Sequence, residues 1–277
     1  MGSQEVVVAI VQAKEEPWES IWREGQAPTW IDRYKNQYEI VNVSGLPMGR
    51  LWKQFDLFHE INRYSTSYGK LQGRLDYVFI PWLSRNIPKW KQLPNSVVEE
   101  IRIITNSSYI FAGRRLLGTL KWFIQSKKSN FIYLTTTSSL INVRLLEERI
   151  ADFDVENPIY AGQVLGDSNL KFVSGAGTLM NRRAVEIVLD NYKFYPHQML
   201  NDAALGYLLR GLKVIPIDLP WCWLTSSEEI YQTELSIYRQ TIHYRLKTNS
   251  SPRSDSKVMV DLHKHLLDLC QIRAITY

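Results

Sequence analysis

The chain has 277 residues, of which 45% are hydrophobic and 22% are charged, and this composition excludes wholesale disorder. Its net charge of +5 suits an acidic partner such as a nucleotide diphosphate or an anionic membrane surface. The lack of a dense run of lysines and arginines argues against nucleic acid. Only two cysteines occur, with no CxxC or Cys/His pattern, which excludes a disulfide-stapled scaffold and a cysteine-ligated zinc site.

Short β-branched runs alternate with amphipathic stretches along the chain, and this alternation predicts that strands alternate with helices. Residues 5–13 carry the β-branched run that is typical of a strand buried in a parallel sheet, and an amphipathic stretch rich in tryptophan follows it. Residues 248–257 are polar and predict a loop. In chain order the predicted elements are strand 5–13, strand 38–45, helix 55–65, strand 75–82, an element entered through 97–104, helix 113–125, strand 131–136, helix 142–153, strands 158–165 and 171–177, helix 182–192, a helix capped by Asn201 and ended by Gly211, strand 213–221 and helix 258–272.

Strands that alternate with helices predict an α/β fold with a mainly parallel sheet flanked by helices. In such sheets the ligand binds at the carboxyl ends of the strands. The site is therefore expected in the loops after Gln12, Pro81, Leu134 and Gly175.

The domain organisation predicted from these elements is simple. We expect one domain over residues 1–247, with residues 248–277 packing on it as a polar loop and a helix. The longest apolar run near the start is too short to span a bilayer and has no basic lead-in, so we expect a cytoplasmic protein, with contact to a membrane surface left open.

Three segments carry a resemblance to a known enzyme family. Residues 109–150 contain a tyrosine, a helix with a basic residue and a closing tryptophan, and then a strand; residues 172–188 contain Gly-Ala-Gly before an Arg-Arg-Ala helix; residues 201–214 begin Asn-Asp-Ala-Ala-Leu-Gly. In this order and spacing they resemble the galactosyltransferase/Fringe-like (β-1,3-glycosyltransferase type) family of inverting GT-A enzymes. The resemblance implies a GT-A-type, Rossmann-like mixed sheet. It also implies transfer of a sugar from a nucleotide-sugar donor, expected to be a UDP-hexose, to a glycan or lipid-linked glycan acceptor.

One departure from the family concerns its metal site. The family has carboxylates where this chain has Thr136, Thr137 and Ser138, and hard divalent cations prefer carboxylate oxygens. We therefore expect no metal cofactor, and we keep these three residues as candidate contacts of the nucleotide sugar. Two interpretations stay open: an enzyme that works without a metal, or a pseudo-glycosyltransferase that binds a partner and catalyses nothing.

The candidate catalytic residue is Asp202, because the family's catalytic carboxylate in this helix matches it. A base is needed to accept the proton of the acceptor hydroxyl, and a helix N-terminus favours an ionised carboxylate. The alternative is that Asp202 only supports the helix cap and the helix dipole.

Cationic side chains could stabilise the diphosphate where the metal is missing. Arg115 matches the family's basic residue and Arg114 is its neighbour. His243, Arg245 and Lys247 alternate, so an extended strand would place them on one face, with Arg253 beyond. The alternatives for this second group are a solvated basic face on an edge strand and a contact with an anionic membrane.

Two further candidates complete the expected site. The turn of Gly175, Ala176 and Gly177 allows a ligand to approach the backbone closely, although a tight turn between strand and helix explains the glycines equally well. By analogy with the family, the nucleotide base is expected at the end of the first strand. The residues expected there are Val11, Gln12 and Ala13.

Overall fold

The computed structural model describes most of the chain. The predictions for Ala13, for helix 55–65 and for strand 75–82 fall outside the residues that it describes. The described residues are 5–12, 15–46, 86–94, 98–106, 111–197, 199–248, 253–272 and 275–277.

Eleven strands occur among the described residues, and most lie close to their predicted positions. Residues 213–221 do not form one strand; two short strands flank a Leu-Pro step instead. The strands are β1 Val6–Gln12, β2 Glu39–Leu46, β3 Trp90–Leu93, β4 Glu99–Asn106, β5 Phe131–Thr136, β6 Ser139–Ile141, β7 Tyr160–Gly166, β8 Lys171–Asn181, β9 Ile217–Asp218, β10 Trp221–Trp223 and β11 His243–Arg245.

The helices likewise follow the predicted periodicity, with boundaries shifted by a few residues. The tryptophan-rich stretch is helical, although Trp22–Ile31 is an irregular segment of π type with a kink at Thr29. The α-helices are α1 Trp18–Ile21, α2 Asp32–Tyr34, α3 Ala112–Ser126, α4 Val143–Ile150, α5 Arg182–Asp190, α6 Asn201–Gly211, α7 Ser227–Gln232, α8 Leu235–Gln240 and α9 Asp255–Gln271.

Eight strands form one mixed sheet in the order β3-β4-β2-β1-β5-β8-β7-β9. The pairs β2–β4, β1–β2, β1–β5 and β7–β9 are parallel, and β3–β4, β5–β8 and β7–β8 are antiparallel. The predicted α/β class with a mixed, mainly parallel sheet flanked by helices is confirmed. Because β1, β2, β4 and β5 all point the same way, their carboxyl ends meet at one edge, where a site is expected.

Each face of this sheet has its own hydrophobic core. Along β1, Val7 and Ala9 point to one face, together with the apolar sides of α3, α5 and α6. Val6, Val8 and Ile10 point to the other face, which packs against α4, α7, α8 and α9. The strands at the centre are therefore buried on both sides, which explains their unbroken apolar sequence.

A second sheet of three strands, β10-β11-β6, lies on the face that carries α9. β11 is its middle strand, parallel to β10 and antiparallel to β6. The alternative of an edge strand for residues 243–247 is therefore wrong. Helix α9 contributes Val258, Met259, Leu262 and Leu266 to the same core, so the C-terminal segment packs on the main sheet system; the boundary at residue 247 stays a prediction.

The start of α6 differs from its predicted cap. Leu200 occupies the N-cap position and no side chain caps the helix, because Asn201 is already the first helical residue. Gly211 is the last residue of the helix, as predicted. None of the helices formed by described residues is long and apolar enough to cross a membrane.

Candidate functional site

The carboxyl end of β5 is joined to the second sheet by a tight turn. Thr137 and Ser138 form the turn, and Ser139 begins β6. The backbone N–H of Leu246 donates to the carbonyl of Ser138 at 2.9 Å, which extends the β6–β11 pairing to the turn. The hydroxyl-rich segment of Thr136, Thr137 and Ser138 is thereby held against β11.

Arg245 lies at the end of β11 and reaches the end of β5. Its Nη1 donates to the hydroxyl of Thr136 and, at 3.5 Å, to the hydroxyl of Ser139. Those two hydroxyl oxygens are 3.3 Å apart. Within the described ranges no carboxylate forms a salt bridge with Arg245, so neutral oxygens hold this guanidinium.

A second guanidinium, that of Arg253, stands beside the first. Its Nη2 donates to the hydroxyl of Ser138 at 3.0 Å, and its carbon Cζ lies 4.5 Å from the centroid of the Trp18 ring. Unlike Arg245, Arg253 forms an ion pair with a fully buried carboxylate, Asp255. The same carboxylate accepts from the N–H and the hydroxyl of Thr248 at 3.0 and 2.7 Å.

Among the described residues, three charged side chains form what we call the Arg245 cluster: Arg245, Arg253 and Asp255. Two guanidiniums face one carboxylate in this cluster, which leaves one positive charge in excess. Burial, and next the positive charge of Arg253, lower the pKa of Arg245 from 12.5 to about 10, whereas Asp255 acts in the opposite direction. Arg245 stays charged near neutral pH, and an anion beside it would relieve the cost of its burial.

His243 is placed in the same strand but contributes no charge. It is 2% exposed, its Nδ1 lies 2.8 Å from the hydroxyl oxygen of Tyr133, and its ring stacks on Trp221 with centroids 4.8 Å apart. Burial, and next the charge of Arg245, hold the pKa of His243 well below 6.5. The neutral His243 therefore packs the second sheet against β5, and Lys247 lies beyond the end of β11, half-buried.

Residues Gly175 to Gly177 form an irregularity in β8. Gly162 pairs with Thr178 and Val164 with Val173, so two steps along β7 correspond to five steps along β8. A β-bulge of this kind re-aims the strand, here beside the end of β5, where the Thr135 hydroxyl donates to the Ala176 carbonyl at 3.0 Å. The tight turn between strand and helix, the alternative for these glycines, is wrong because the segment is continuous with the strand.

The two glycines of the bulge are needed for two different close approaches. A Cβ atom at Gly177 would clash with the His243 ring and the Tyr133 hydroxyl. A Cβ at Gly175 would lie 3.2 Å from Cβ of Asp202. The bulge thus runs between His243 of β11 and the first turn of α6.

Asp202 lies in that first turn and is half-buried. Its Oδ2 accepts from the N–H of Gly175 at 3.1 Å, and its Oδ1 accepts from the N–H of Ala203 at 2.8 Å. A carboxylate has about four acceptor positions, so each oxygen can accept a further proton donor. Burial, and next the charge of Asp202, raise the pKa of Tyr195 well above 10.

Arg114 and Arg115 begin α3 on the opposite face from Arg245. They are 6% and 8% exposed. Nη2 of Arg114 donates to Oδ1 of Asn86 at 3.2 Å, and burial lowers the pKa of Arg114. Burial, and next the positive charge of Arg114, lower the pKa of His197 to about 4. The ring of His197 lies 4.9 Å from that of Tyr195. The structure thus separates the predicted cations into two groups, one on each face of the sheet.

Buried polar side chains also mark the end of β1. Gln12 is 3% exposed, and within the described part of the chain neither atom of its side-chain amide has a hydrogen-bond partner. In the β1–β2 register Ser44 lies opposite Gln12, and Asn42 lies opposite Ile10, two residues earlier and on the same face. The Ser44 hydroxyl and the Oδ1 atom of the Asn42 side chain are also buried, with no hydrogen-bond partner among the described residues. Val11, the other described candidate here, is half-buried and points to the α3 face.

A divalent cation does not fit the residues at the end of β5. The oxygens there are neutral hydroxyls, and they already accept hydrogen bonds from guanidinium groups that would repel the ion. The described residues contain no group of three or more His, Cys, Asp or Glu side chains that could hold a metal.

Several residues of this region carry no recognisable signal in the sequence. Asp255 falls at the end of a polar stretch that predicts a loop, and only the fold shows that its carboxylate is buried. Gln26, whose amide donates to the carbonyls of Thr136 and Ser139 at 2.9 Å, belongs to a stretch that looks merely amphipathic. Ser139 continues the hydroxyl run and could have been inferred from it.

Comparison with known proteins gives likeness of structure only. No protein-family model matches the chain, and no curated protein matches it in sequence. Similar solved structures include galactosyltransferase LgtC in complex with donor and acceptor sugar analogues, with 8% identity and a TM-score of 0.47 over 94% of this chain and 95% of that chain. The glycosyltransferase GlyE of Streptococcus pneumoniae TIGR4 has 8% identity and a TM-score of 0.43 over 99% of this chain and 64% of that chain. The apo bifunctional glycosyltransferase WbbM has 9% identity and a TM-score of 0.46 over 98% of this chain and 52% of that chain. With TM-scores below 0.5, these likenesses concern the path of the chain, and we take neither ligand nor reaction from them.

Proposed function

We propose that the protein is a glycosyltransferase of the GT-A type, and that it transfers a sugar from a nucleotide diphosphate to a hydroxyl acceptor without a metal ion. The observation that carries the proposal is the half-buried guanidinium of Arg245, held by hydroxyls at the carboxyl end of β5 with no carboxylate partner among the described residues. A site of that charge at that edge of the sheet suits a diphosphate.

In this proposal the two guanidiniums replace the missing cation. When the bond between the sugar and the diphosphate breaks, negative charge develops on the leaving oxygen. Arg245 exchanges its hydroxyl partners for phosphate oxygens, and Arg253 adds a second positive charge while its ion pair with Asp255 fixes its position. Charge that is placed before the reaction stabilises the transition state without reorganisation.

Asp202 is the proposed base. One of its carboxylate oxygens accepts the proton of the acceptor hydroxyl, whose oxygen then attacks the anomeric carbon as the diphosphate leaves. The hydrogen bonds from Gly175 and Ala203 orient the carboxylate. Attack from the side opposite the leaving group gives inversion, which is the outcome that the sequence resemblance implies.

The polar groups at the end of β1 are the proposed contacts of the nucleobase. Gln12 offers an amide donor and an amide acceptor without partners, and Ser44 and Asn42 add a hydroxyl and a carbonyl oxygen. The edge of a uracil ring presents donors and acceptors of the same kind. A ligand that pairs with these atoms recovers the cost of their burial. UDP is therefore the proposed nucleotide.

The second candidate is a protein that binds a nucleotide or a glycan but does not catalyse. It is favoured by Asp202 itself, because both of its oxygens already accept backbone N–H groups, one of which, that of Gly175, ties β8 to α6. The two candidates differ in one measurement: Asp202→Asn abolishes transfer in an enzyme, whereas a binding protein shows no transfer in the wild type either.

The proposal is tested by calorimetric titration of UDP, first in EDTA and then with excess Mn²⁺, with GDP and CMP as competitors for specificity. We expect UDP to bind equally in both conditions. Arg245→Gln should weaken binding about tenfold or more, because it removes a charge-assisted hydrogen bond worth about 1.5–3 kcal/mol. Arg210→Gln, which removes the same charge from the exposed end of α6, serves as the control.

The outcomes separate the hypotheses. Binding that requires Mn²⁺ contradicts metal independence. If no nucleotide binds in either condition, the glycosyltransferase proposal fails. If UDP binds and no UDP-hexose is hydrolysed or transferred to saccharide or lipid-linked acceptors, the binding protein remains.

A further inference from the structure

His197 is a buried histidine that the proposed reaction leaves unused. It lies in the loop between α5 and α6 and is 8% exposed. Among the residues that the structure describes, none pairs with its Nδ1 or its Nε2. Its ring packs against that of Tyr195 at 4.9 Å, and Tyr195 in turn packs on the start of α3, where a Cβ at Gly113 would meet its ring.

Two vacant ring nitrogens are costly at such a depth. A buried polar atom without a partner costs about 1–3 kcal/mol. An apolar side chain of similar size would avoid this cost, so the free protein gains no stability from the histidine. Buried polar groups that are unpaired in the free protein are commonly paired by a bound molecule.

The chemistry of the ring limits what that molecule can be. The positive charge of Arg114 and the burial of the ring both disfavour the protonated imidazole. A neutral imidazole presents one donor and one acceptor, so its partner must both accept and donate hydrogen bonds. A carboxylate or phosphate lacks the proton that the acceptor nitrogen needs, whereas a hydroxyl group provides both functions.

The position of His197 connects it with the proposed base. The hydroxyl of Tyr195 donates to the carbonyl of Asn201 at 2.8 Å, in the turn of α6 that carries Asp202. His197 and Asp202 thus flank the same tyrosine, and both lie at the carboxyl edge of the sheet. We propose that His197 binds a pyranose hydroxyl and orients the sugar beside Asp202. The inference rests on the proposed function for its substrate class.

The test uses His197→Leu and His197→Gln, the second of which keeps one neutral donor and one acceptor. Calorimetry measures the affinities for UDP, UDP-glucose and UDP-galactose, and saturation-transfer NMR measures binding of the methyl glucopyranosides and galactopyranosides. Thermal unfolding is recorded for each variant. His265→Leu serves as the control, since His265 lies on α9 and contacts the rings of Tyr231 and Tyr238.

His197→Leu is expected to weaken sugar binding about tenfold or more and to leave both the affinity for UDP and the melting temperature undiminished. His197→Gln should recover part of the sugar affinity. If the sugar belongs to the donor, the loss appears with the UDP-hexoses. If it belongs to the acceptor, the loss appears with the methyl glycosides.

Three results would overturn the inference. Unchanged sugar binding in His197→Leu would mean that only an ordered water pairs with the ring. A lower melting temperature with an equal loss for UDP and UDP-hexose would mean that the role is structural. Absence of sugar binding by the wild type, with UDP bound, would remove the proposed ligand. If the wild type binds methyl glycosides but no nucleotide, the glycosyltransferase proposal fails while the sugar subsite stands.

Discussion

Arg245 and Asp255 belong to one cluster but differ in how far hydrogen bonds and ion pairs compensate their charges. Asp255 is fully buried, and four hydrogen bonds from Arg253 and Thr248 compensate its charge. Burial raises the pKa of a carboxyl, but here these hydrogen bonds outweigh burial and the pKa of Asp255 is lowered. Arg245 has no such compensation within the described residues. Asp255 therefore stabilises the free protein, whereas Arg245 is the residue at which the proposed diphosphate would supply the missing negative charge.

We predict that Asp255→Ala lowers the free energy of unfolding by about 3 kcal/mol, the lower end of the range for a broken buried pair, because the half-buried Arg253 loses its partner. Arg245→Met should leave it unchanged or raise it, because an apolar side chain of similar length replaces an uncompensated charge. Urea unfolding of both variants measures the difference. A cost of several kcal/mol for Arg245→Met would show that Arg245 is a structural residue and would count against the anion site.

We also predict opposite effects at two glycines. Gly177→Ala should cost about 1–3 kcal/mol in unfolding free energy, because the added methyl group clashes with the His243 ring and the Tyr133 hydroxyl. Gly211→Ala should be neutral or stabilise by up to about 1 kcal/mol, since nothing lies within 4 Å of the added carbon and alanine favours the helix. Equal effects at the two positions would contradict the close approach seen at Gly177.

Among the secondary-structure elements, a helix cap can connect a strand with the helix that follows it. Asn181 is the last residue of β8 and the N-cap of α5. Its carbonyl oxygen accepts from the N–H of Ala184 at 3.0 Å and from that of Ile159 at 2.9 Å. Its amide nitrogen donates to the carbonyls of Val155 and Asn157 at 3.0 and 2.7 Å. One side chain thus fixes where β7 enters, where β8 ends and where α5 begins.

Asn181→Ala is expected to lower the free energy of unfolding by about 2–4 kcal/mol, since a cap is worth about 1 kcal/mol and buried backbone groups are left unpaired besides. Ser226→Ala provides the comparison: Ser226 caps α7 by a single bond from the N–H of Glu229 at 3.4 Å, so about 1 kcal/mol or less is expected. Denaturant unfolding measures both. If Asn181→Ala costs no more than Ser226→Ala, the backbone groups that bond to Asn181 find other hydrogen-bond partners in the variant, and the prediction is wrong.

The free energy of unfolding of the whole molecule depends on pH through histidines whose pKa values are lowered in the folded state. Burial first, and then nearby arginines, lower the pKa values of His197 and His263 to about 4 from 6.5. Between pH 6.5 and 4 the unfolded chain therefore binds more protons than the folded chain. Stability is fully present above pH 6.5 and falls as the pH is lowered toward 4.

We predict that the melting temperature decreases steadily from pH 6.5 to pH 4 and that His197→Leu flattens this decrease. A single histidine with such a shift contributes on the order of 3 kcal/mol across the window. Thermal unfolding monitored by circular dichroism at half-unit pH steps provides the measurement. A pH profile of the variant parallel to that of the wild type would show that other groups cause the loss.

The order of the described elements and the class of the fold can be read from the amino-acid sequence, because β-branched runs and helical periodicity are local properties. The sequence also singled out Arg245, Asp202 and the hydroxyl run as candidates, since residue spacing is readable along the chain; their roles stay predictions. The prediction of Asn201 as a cap is wrong, because Asn201 is already the first helical residue. The strand expected over 213–221 is divided in two, because its first part pairs with β7 and its second part with β11.

Which polar residues share an environment depends on the three-dimensional fold. Pairing of β6 with β11 placed Arg245 on the hydroxyls of Thr136 and Ser139, more than one hundred residues away. It buried His243 as a neutral ring and moved Arg114 to the opposite face of the sheet from Arg245. Burial and electrostatic coupling depend on neighbours brought together by sheet topology, and a linear pattern of residue types does not contain that information.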